Sequence, residues 1–272
     1  MLLDVAGNAM QYEALIRLAA FAGLFAALAY WEWRAPRRPR AFARRVRWPS
    51  NLAVALANGG LVRWLVPVSV VGMAALAEQR HWGLLPMLAL PDWLAAALAL
   101  VLLDLAIYLQ HVLFHAVPAL WRLHRMHHAD LDFDVTTGVR FHPLEILLSW
   151  VVKVVLLAAL GPPVVVVLVF ELLLNATSLF NHGNIRLPAG LDAVLRRFVV
   201  TPDMHRVHHS ALPRETNSNF GFNFPWWDRL FGTYRSQPAA GHAGMTIGIA
   251  AFREAGELRL DRLLTQPFRN VA

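Results

Sequence analysis

The 272-residue sequence contains no cysteine and a single lysine, Lys153. Without cysteine there can be no disulfide, iron–sulfur cluster, thiolate zinc site or cysteine nucleophile. Any metal must therefore rest on His, Asp, Glu or backbone oxygen. Charge is also scarce. Charged residues make up 16% of the chain and hydrophobic residues 57%, with a mean hydropathy of +0.44. An ordinary soluble domain carries roughly 25% and 45–50% respectively, so a cytosolic globular domain is disfavoured and a disordered chain is excluded. The N-terminal MLLDVAGNAMQYE lacks a basic segment, and the apolar run after it is too long for a signal peptide. It reads as leading into a retained membrane anchor. No GxGxxG fingerprint, haem-attachment motif or HExxH zinc motif occurs.

Where charge is present, it is concentrated. Arg34, Arg37, Arg38, Arg40, Arg44, Arg45 and Arg47 lie in one stretch with no acid among them, and account for the whole net charge of +7. Such a block beside apolar runs signals membrane sidedness rather than nucleic-acid binding, with anionic headgroups as its partner. A helix needs roughly 17–25 apolar residues to cross a bilayer. Candidate spans run from Ala14 to Trp33, within Asn51 to Ala77, and from Trp93 to Phe114. A longer apolar region, Leu144 to Phe180, breaks at Gly161-Pro162-Pro163 and reads as a helical hairpin that enters and returns. Within it, Lys153 is expected on a face turned to protein or water. By the positive-inside rule the N-terminus is outside and the arginine loop inside. The C-terminal portion then forms a cytoplasmic cap. The fold class expected is an all-α integral membrane protein, with about three spans plus a helical hairpin and a histidine-rich helical cap. Near-exclusive use of Arg over Lys suggests a GC-rich bacterial genome, hence a bacterial inner membrane.

The twelve histidines are clustered. His111 and His115 are four apart at the inner end of the third span. His124, His127 and His128 form HRMHH, and His205, His208 and His209 form HRVHH. Spacings of three and four place side chains on one helical face, so each cluster can aim its imidazoles at one point. Sidedness puts all three clusters at the cytoplasmic face. Packing this many imidazoles together without metal would bury unsatisfied or mutually repelling groups. A catalytic zinc takes three protein ligands and an open position, so eight histidines favour two metal ions. Imidazole suits iron, zinc, copper and nickel alike, and the count does not choose among them. Asp104 and Tyr108, seven and three residues before His111, share its helical face; a carboxylate there can orient a ligating ring. Asp203, two before His205, is placed for the same task or for a helix N-cap.

QHVLFH, HRMHH, TGVRFHPLE, NHGNIRLP, TPDMHRVHHS and WDRLFGTY, in that order, resemble the pattern of the fatty acid hydroxylase/sterol desaturase superfamily. The resemblance covers about Asp104 to Tyr234. It implies an integral-membrane non-haem di-iron oxygenase, with His111, His115, His124, His127, His128, His205, His208 and His209 as iron ligands and O2 as co-substrate. His182 is a ninth ligand by the same resemblance. Relatives often carry a further His or Asn four residues before it, where this chain has Ser178. His142 is the weaker candidate, as it can simply hydrogen-bond at the start of the hairpin. Glu145 matches a family position without an assignable role, and His81 and His242 are expected at the surface.

The organisation expected is a membrane region over 1–92, a catalytic domain over 93–236 and a cytoplasmic tail over 237–272. The function expected is hydroxylation of an unactivated C–H of a lipid, sterol-like or other apolar substrate entering from the membrane. With no dinucleotide motif, electrons come from a separate reductase or carrier. Desaturation at the same site is the near rival. A divalent-metal transporter and a metal-dependent membrane hydrolase are the rivals from other classes, though a transporter would place its ligands near the bilayer midplane.

Overall fold

The computed structural model describes residues 12–270. Residues 1–11, expected to lead into the anchor from the outer side, lie outside the described residues. Among the described residues every regular element is helical, and strand-like pairing is limited to isolated bridges, Pro36 with Ile185 and Ser210 with Ile247. The helices that position the site are α1 (Glu13–Arg34), α2 (Arg44–Leu65), α3 (Val70–Gln79), α4 (Asp92–Ala116), α5 (Pro118–His128), α6 (Pro143–Leu160), α7 (Val164–Asn181), α8 (Ala189–Leu195) and α9 (Pro202–His208). Five stretches are long and apolar enough to cross a membrane: 14–34, 44–87, 92–116, 143–160 and 164–181.

The hairpin forms as its sequence suggests. Gly161 ends α6 at φ +61°, and Pro162 and Pro163 precede α7. Gly161 has no alternative, because a Cβ there would run into the Trp82 carbonyl. Lys153 meets Glu171 across the hairpin at 2.8 Å, and Arg17 of α1 approaches the other carboxylate oxygen at 3.3 Å. A charge within an apolar helix needs such a partner. α3 packs Val71 and Ala74 against Leu157 and Val167 of the hairpin, while Leu28 of α1 packs with Leu179 and Ile185.

The second apolar stretch departs from expectation. It is not one helix within Asn51–Ala77 but two, α2 and α3, separated at 66–69. Pro67 forces Val66 into an extended conformation (φ −96°, ψ 115°). Ser69 then caps α3, accepting from the Gly72 N–H at 2.9 Å. Trp150 satisfies the carbonyl freed at the break, donating its indole N–H to Val68 at 3.1 Å.

α2 also begins early enough to absorb Arg44, Arg45 and Arg47, and this corrects the picture of a lipid-facing arginine loop. Arg47 is fully buried, with one side of its guanidinium on Asp130 (2.6 and 2.7 Å) and NH1 on Asp134 (2.6 Å). Arg44 pairs with Glu32, Arg37 with Asp203, and Arg38 donates to the carbonyls of His242 and Met245. The block is therefore largely an internal charge set. Apart from Glu32, its acids lie so far along the chain that adjacency could not reveal them. Removing one member of such a buried pair costs about 3–5 kcal/mol, because the other charge stays buried. The N-terminal region is tied by these contacts to the loop following α5.

Candidate metal centre

Pro118 at the first position of α5 lets that helix start directly after α4. The chain turns there, and the His111/His115 pair faces the HRMHH cluster. Thr201 caps α9, accepting from the Met204 N–H, and Pro202 occupies the first helical position. α9 thus delivers His205 and His208, with His209 at its C-cap. His182 stands at the C-cap of α7.

The nine rings converge in two groups: His111, His115, His124, His128 and His208 in one, and His127, His182, His205 and His209 in the other. The ligand atoms of each group all lie within 4.8 Å of one another. Each HxxHH motif is split between the groups. HRMHH sends its i, i+4 pair (His124, His128) to the five-histidine group and His127 to the other. HRVHH does the reverse, with His205 and His209 in the four-histidine group and His208 in the five. Two helical motifs facing each other in this way build two adjacent centres from one pattern.

The rings point nitrogen at nitrogen. In the five-histidine group His208 and His111 face through Nε2 at 3.0 Å, His115 and His128 at 3.1 Å, and His128 and His124 at 3.2 Å. In the four-histidine group His182 faces His205 at 3.0 Å, His127 at 3.1 Å and His209 at 3.2 Å. Burial, and then the neighbouring imidazoles, hold His127, His128, His205, His208 and His209 well below the usual histidine range. Burial likewise brings His182 down to about 4. Neutral rings aimed at one another through Nε2 leave lone pairs converging, which a cation resolves and nothing else in the cluster does. The donor set, nine imidazoles without a carboxylate, fits two borderline transition-metal ions.

The outer ring nitrogens show how the centre is held. His124 Nδ1 lies 2.7 Å from Glu145 Oε1, His111 Nδ1 2.8 Å from the Phe220 carbonyl and His208 Nδ1 2.7 Å from the Ser218 carbonyl. His115 Nδ1 faces Asn217 Oδ1 at 3.2 Å, and His182 Nδ1 lies 2.7 Å from the Ser178 carbonyl. Acceptors at Nδ1 put the proton there and leave Nε2 free to ligate. Ser178 donates its hydroxyl to the Gly138 carbonyl and contributes only its own carbonyl to His182.

Several expected roles fall elsewhere. Asp104 does not meet His111; its Oδ2 accepts from the Trp227 indole at 2.8 Å, because the chain after α9 folds back along α4 and covers that face. Tyr108 bonds Thr233 at 2.9 Å and stacks on Phe231, again outside the ring cluster. Asp203 pairs with Arg37 and Arg206 rather than with His205. His142 caps α6 and lies against the Leu264 carbonyl, outside both groups. His81 is exposed as expected, but His242 is buried beside Asp203 rather than at the surface.

Glu145, not Asp104, is the carboxylate behind a ligating ring, that of His124, and the loop Asp130–Asp134 adds buried acids whose role the histidine spacing does not reveal. Asp132 accepts from the backbone N–H of Ala41 and Phe42, and Glu32 accepts from those of Val135 and Asn184. These acids fasten the inner end of α1 around the centre. Burial alone would raise Asp130, yet Arg47 and Arg140 hold it at about 2. The alternation DLDFD was the one local signal. Acids in a chain this apolar need buried partners.

Several bilayer-length apolar helices and two adjacent polyhistidine groups that could each hold a metal ion define the class of protein. The Fatty acid hydroxylase family model matches residues 96–233, just over half of the chain, and the protein belongs to that family, within the wider fatty acid hydroxylase/sterol desaturase superfamily. It is similar to the ornithine lipid hydroxylase OlsE of Rhizobium tropici, with 32% identity over 206 residues, 74% of this chain and 57% of that protein. It is also similar to the alkylglycerol monooxygenases of Xenopus tropicalis (28% over 154 residues, 55% of this chain and 32% of that protein) and Homo sapiens (27% over 165 residues, 59% and 34%). The chain thus spans from about a third to just over half of these relatives' lengths. No solved structure matches it significantly.

Proposed function

We propose that this protein is an O2-dependent, di-iron membrane hydroxylase that places a hydroxyl on an unactivated C–H of a lipid. The observation that carries the reading is the convergence of nine imidazoles in groups of five and four. The relatives' names, ornithine lipid hydroxylase and alkylglycerol monooxygenase, support a lipid substrate. His111, His115, His124, His128 and His208 would hold one iron, and His127, His182, His205 and His209 the other. With one ring fewer, the four-histidine group would leave its metal a position for an exogenous ligand.

When bound, the iron pair supplies reductive activation of O2, chemistry that no side chain here can perform. The chain's own part is positioning and exclusion of water. Glu145 keeps the His124 proton on Nδ1, and the Phe220, Ser218 and Ser178 carbonyls do the same for His111, His208 and His182. His128, His208 and His209 are fully shielded from solvent. Conversion of R–H and O2 to R–OH and water consumes two electrons and two protons. A separate reductase or electron carrier would supply them.

In this reading residues 93–236 are the catalytic portion, 1–92 a membrane region and 237–272 a tail. About three spans and the hairpin anchor the protein in a bacterial inner membrane, with the N-terminus outside and the histidines at the cytoplasmic face. The helical ends that carry His111, His115 and His182, at one side of the apolar stretches, support that placement over a transporter's midplane site. The test is turnover of a membrane lipid extract under isotopically labelled O2 with a supplied reductant. One labelled oxygen atom in the product is the expected result. An oxidised product without label would mean desaturation, and turnover without O2 or reductant would mean a hydrolase.

A further inference from the structure

A cavity of about 460 Å³ opens on the side of the four-histidine group, lined by Arg37, Arg186, Asp192, Arg196, Asp203 and Gln237 among others. We propose that it binds the anionic group, carboxylate or phosphate, of a membrane-lipid headgroup. As a place where substrate is held for turnover it rests on the hydroxylase reading; as a binding site it stands alone.

Depth is the first argument. Pro36 bridges to Ile185, the Arg186 N–H donates to the Ala35 carbonyl at 3.2 Å, and the Arg37 N–H donates to Asn184 at 3.0 Å. The cavity wall is therefore stitched to the chain immediately beyond α1. In the last turn of that helix Trp31 and Trp33 are exposed, as aromatic residues at a bilayer surface are. α7 ends at Asn181, a few residues before Arg186. Two apolar helices thus finish at one level, and the cavity opens just past it.

The second argument is the helix that forms its far wall. α8 turns Ala189, Asp192, Ala193 and Arg196 to the cavity. Leu191 and Val194, on its other side, and Phe198 in the turn that follows are 46%, 53% and 58% exposed. A short segment with one side turned to a polar cavity and the other bare and apolar suits the headgroup–acyl boundary.

Charge selects the ligand. Arg196 pairs with Asp192, and Asp203 is shared between Arg37 and the buried Arg206. Both aspartates are thus neutralised. Arg186 has no ion pair or side-chain hydrogen bond among the described residues, and Arg37 engages Asp203 through Nε only. The surplus is cationic, and two guanidinium groups with free N–H edges match the oxygens of a carboxylate or phosphate. Because Arg186 follows His182 by four residues and Asp203 precedes His205 by two, a headgroup seated here brings its lipid to the four-histidine side.

The experiment uses the full-length protein in detergent, with lipids counted by native mass spectrometry. Phosphatidylglycerol, diacylglycerol and inorganic phosphate are the probes, and iron per chain is measured in parallel. Retention of phosphatidylglycerol over diacylglycerol is expected. It should fall about tenfold, the loss of one charge-assisted contact, in Arg186→Glu and again in Ala193→Trp, which fills the cavity, with iron content unchanged. Undiminished retention in both variants overturns the proposal. Binding of inorganic phosphate without phosphatidylglycerol overturns the lipid assignment. An effect of Arg186→Glu confined to reduction by an acidic electron carrier would make the face a protein-docking surface instead. Lipid retention that persists in a protein without iron or turnover leaves this site standing and removes the hydroxylase reading. Turnover without selective retention does the opposite.

Discussion

The two histidine groups are built from the same helical motif but held by different forces. In the five-histidine group four rings are fixed through Nδ1, by Phe220, Asn217, Glu145 and Ser218. In the four-histidine group only His182 has such an anchor among the described residues, on Ser178. The others are held by packing. His127 stacks on Phe141 at 4.4 Å and 12°, His209 stacks on His128 at 4.5 Å and 17°, and Phe133 abuts His209 edge-on at 5.1 Å. Directional bonds specify ring orientation more tightly than stacking does. The five-histidine group is therefore the more rigidly oriented of the two, and the four-histidine group the more adaptable.

The largest test of that contrast removes ligands. His205→Ala leaves three rings in the four-histidine group and should eliminate turnover, with iron falling from about two to about one per chain. His115→Ala leaves four rings in the other group, and its ring is the least buried of the five. It should retain both metals and measurable activity. Equal loss of metal in the two variants would erase the distinction between the centres.

Next in size are the supports. Glu145→Ala should weaken metal at the five-histidine group by roughly 10–100-fold, the usual effect of losing a carboxylate behind a ligating histidine. Phe141→Ala should loosen only the four-histidine group, by a smaller factor. Metal titrations of the two variants, followed by a spectroscopic probe that resolves the sites, would separate them. If Phe141→Ala disturbs the five-histidine group as strongly, packing and hydrogen bonding are not dividing the work.

Acid should act on the metal-free protein through the same rings. His182 has its pKa lowered to about 4 by burial, and the other rings of its group lie well below the usual 6.5. Between those values the unfolded chain binds more protons than the folded one, so stability is present above about pH 6.5 and declines as pH falls toward 4. Thermal unfolding of the metal-free protein across that range should show a falling midpoint. Bound metal should delay the decline, since protons and metal compete for one lone pair. A midpoint flat from pH 7 to 4 would mean that the rings take up protons in the fold as readily as in the unfolded chain.

Much of this arrangement was legible because it is local. Spacings of three and four on a helix put His111 with His115, and Gly161-Pro162-Pro163 marks the hairpin, but the same spacings point each HxxHH motif at one centre, whereas the structure divides each between two. The supports were not legible, since each joins distant segments. Nothing adjacent to Arg47 indicates Asp130 or Asp134, and nothing adjacent to His111 indicates that Phe220 will cap its ring. Pro67 was a signal passed over. In a run of apolar residues it set the break between α2 and α3.

Asp104 gives the smallest expected effect and the sharpest check on how the rigid centre is held. By spacing alone it is the natural acceptor for a ring seven residues later, yet its carboxylate is taken by Trp227 and the His111 ring by a backbone carbonyl. Asp104→Asn preserves an oxygen for the indole and touches no ligand. Iron content should therefore stay within about twofold of wild type, far short of the roughly 10–100-fold expected at Glu145. Because Trp227 belongs to the segment that also carries Phe220, an apolar replacement that releases the indole, Asp104→Leu, should disturb metal indirectly by shifting that carbonyl. Metal loss in Asp104→Asn as large as in Glu145→Ala would show that Asp104 orients His111 after all, and that the rigid centre has two carboxylate supports rather than one.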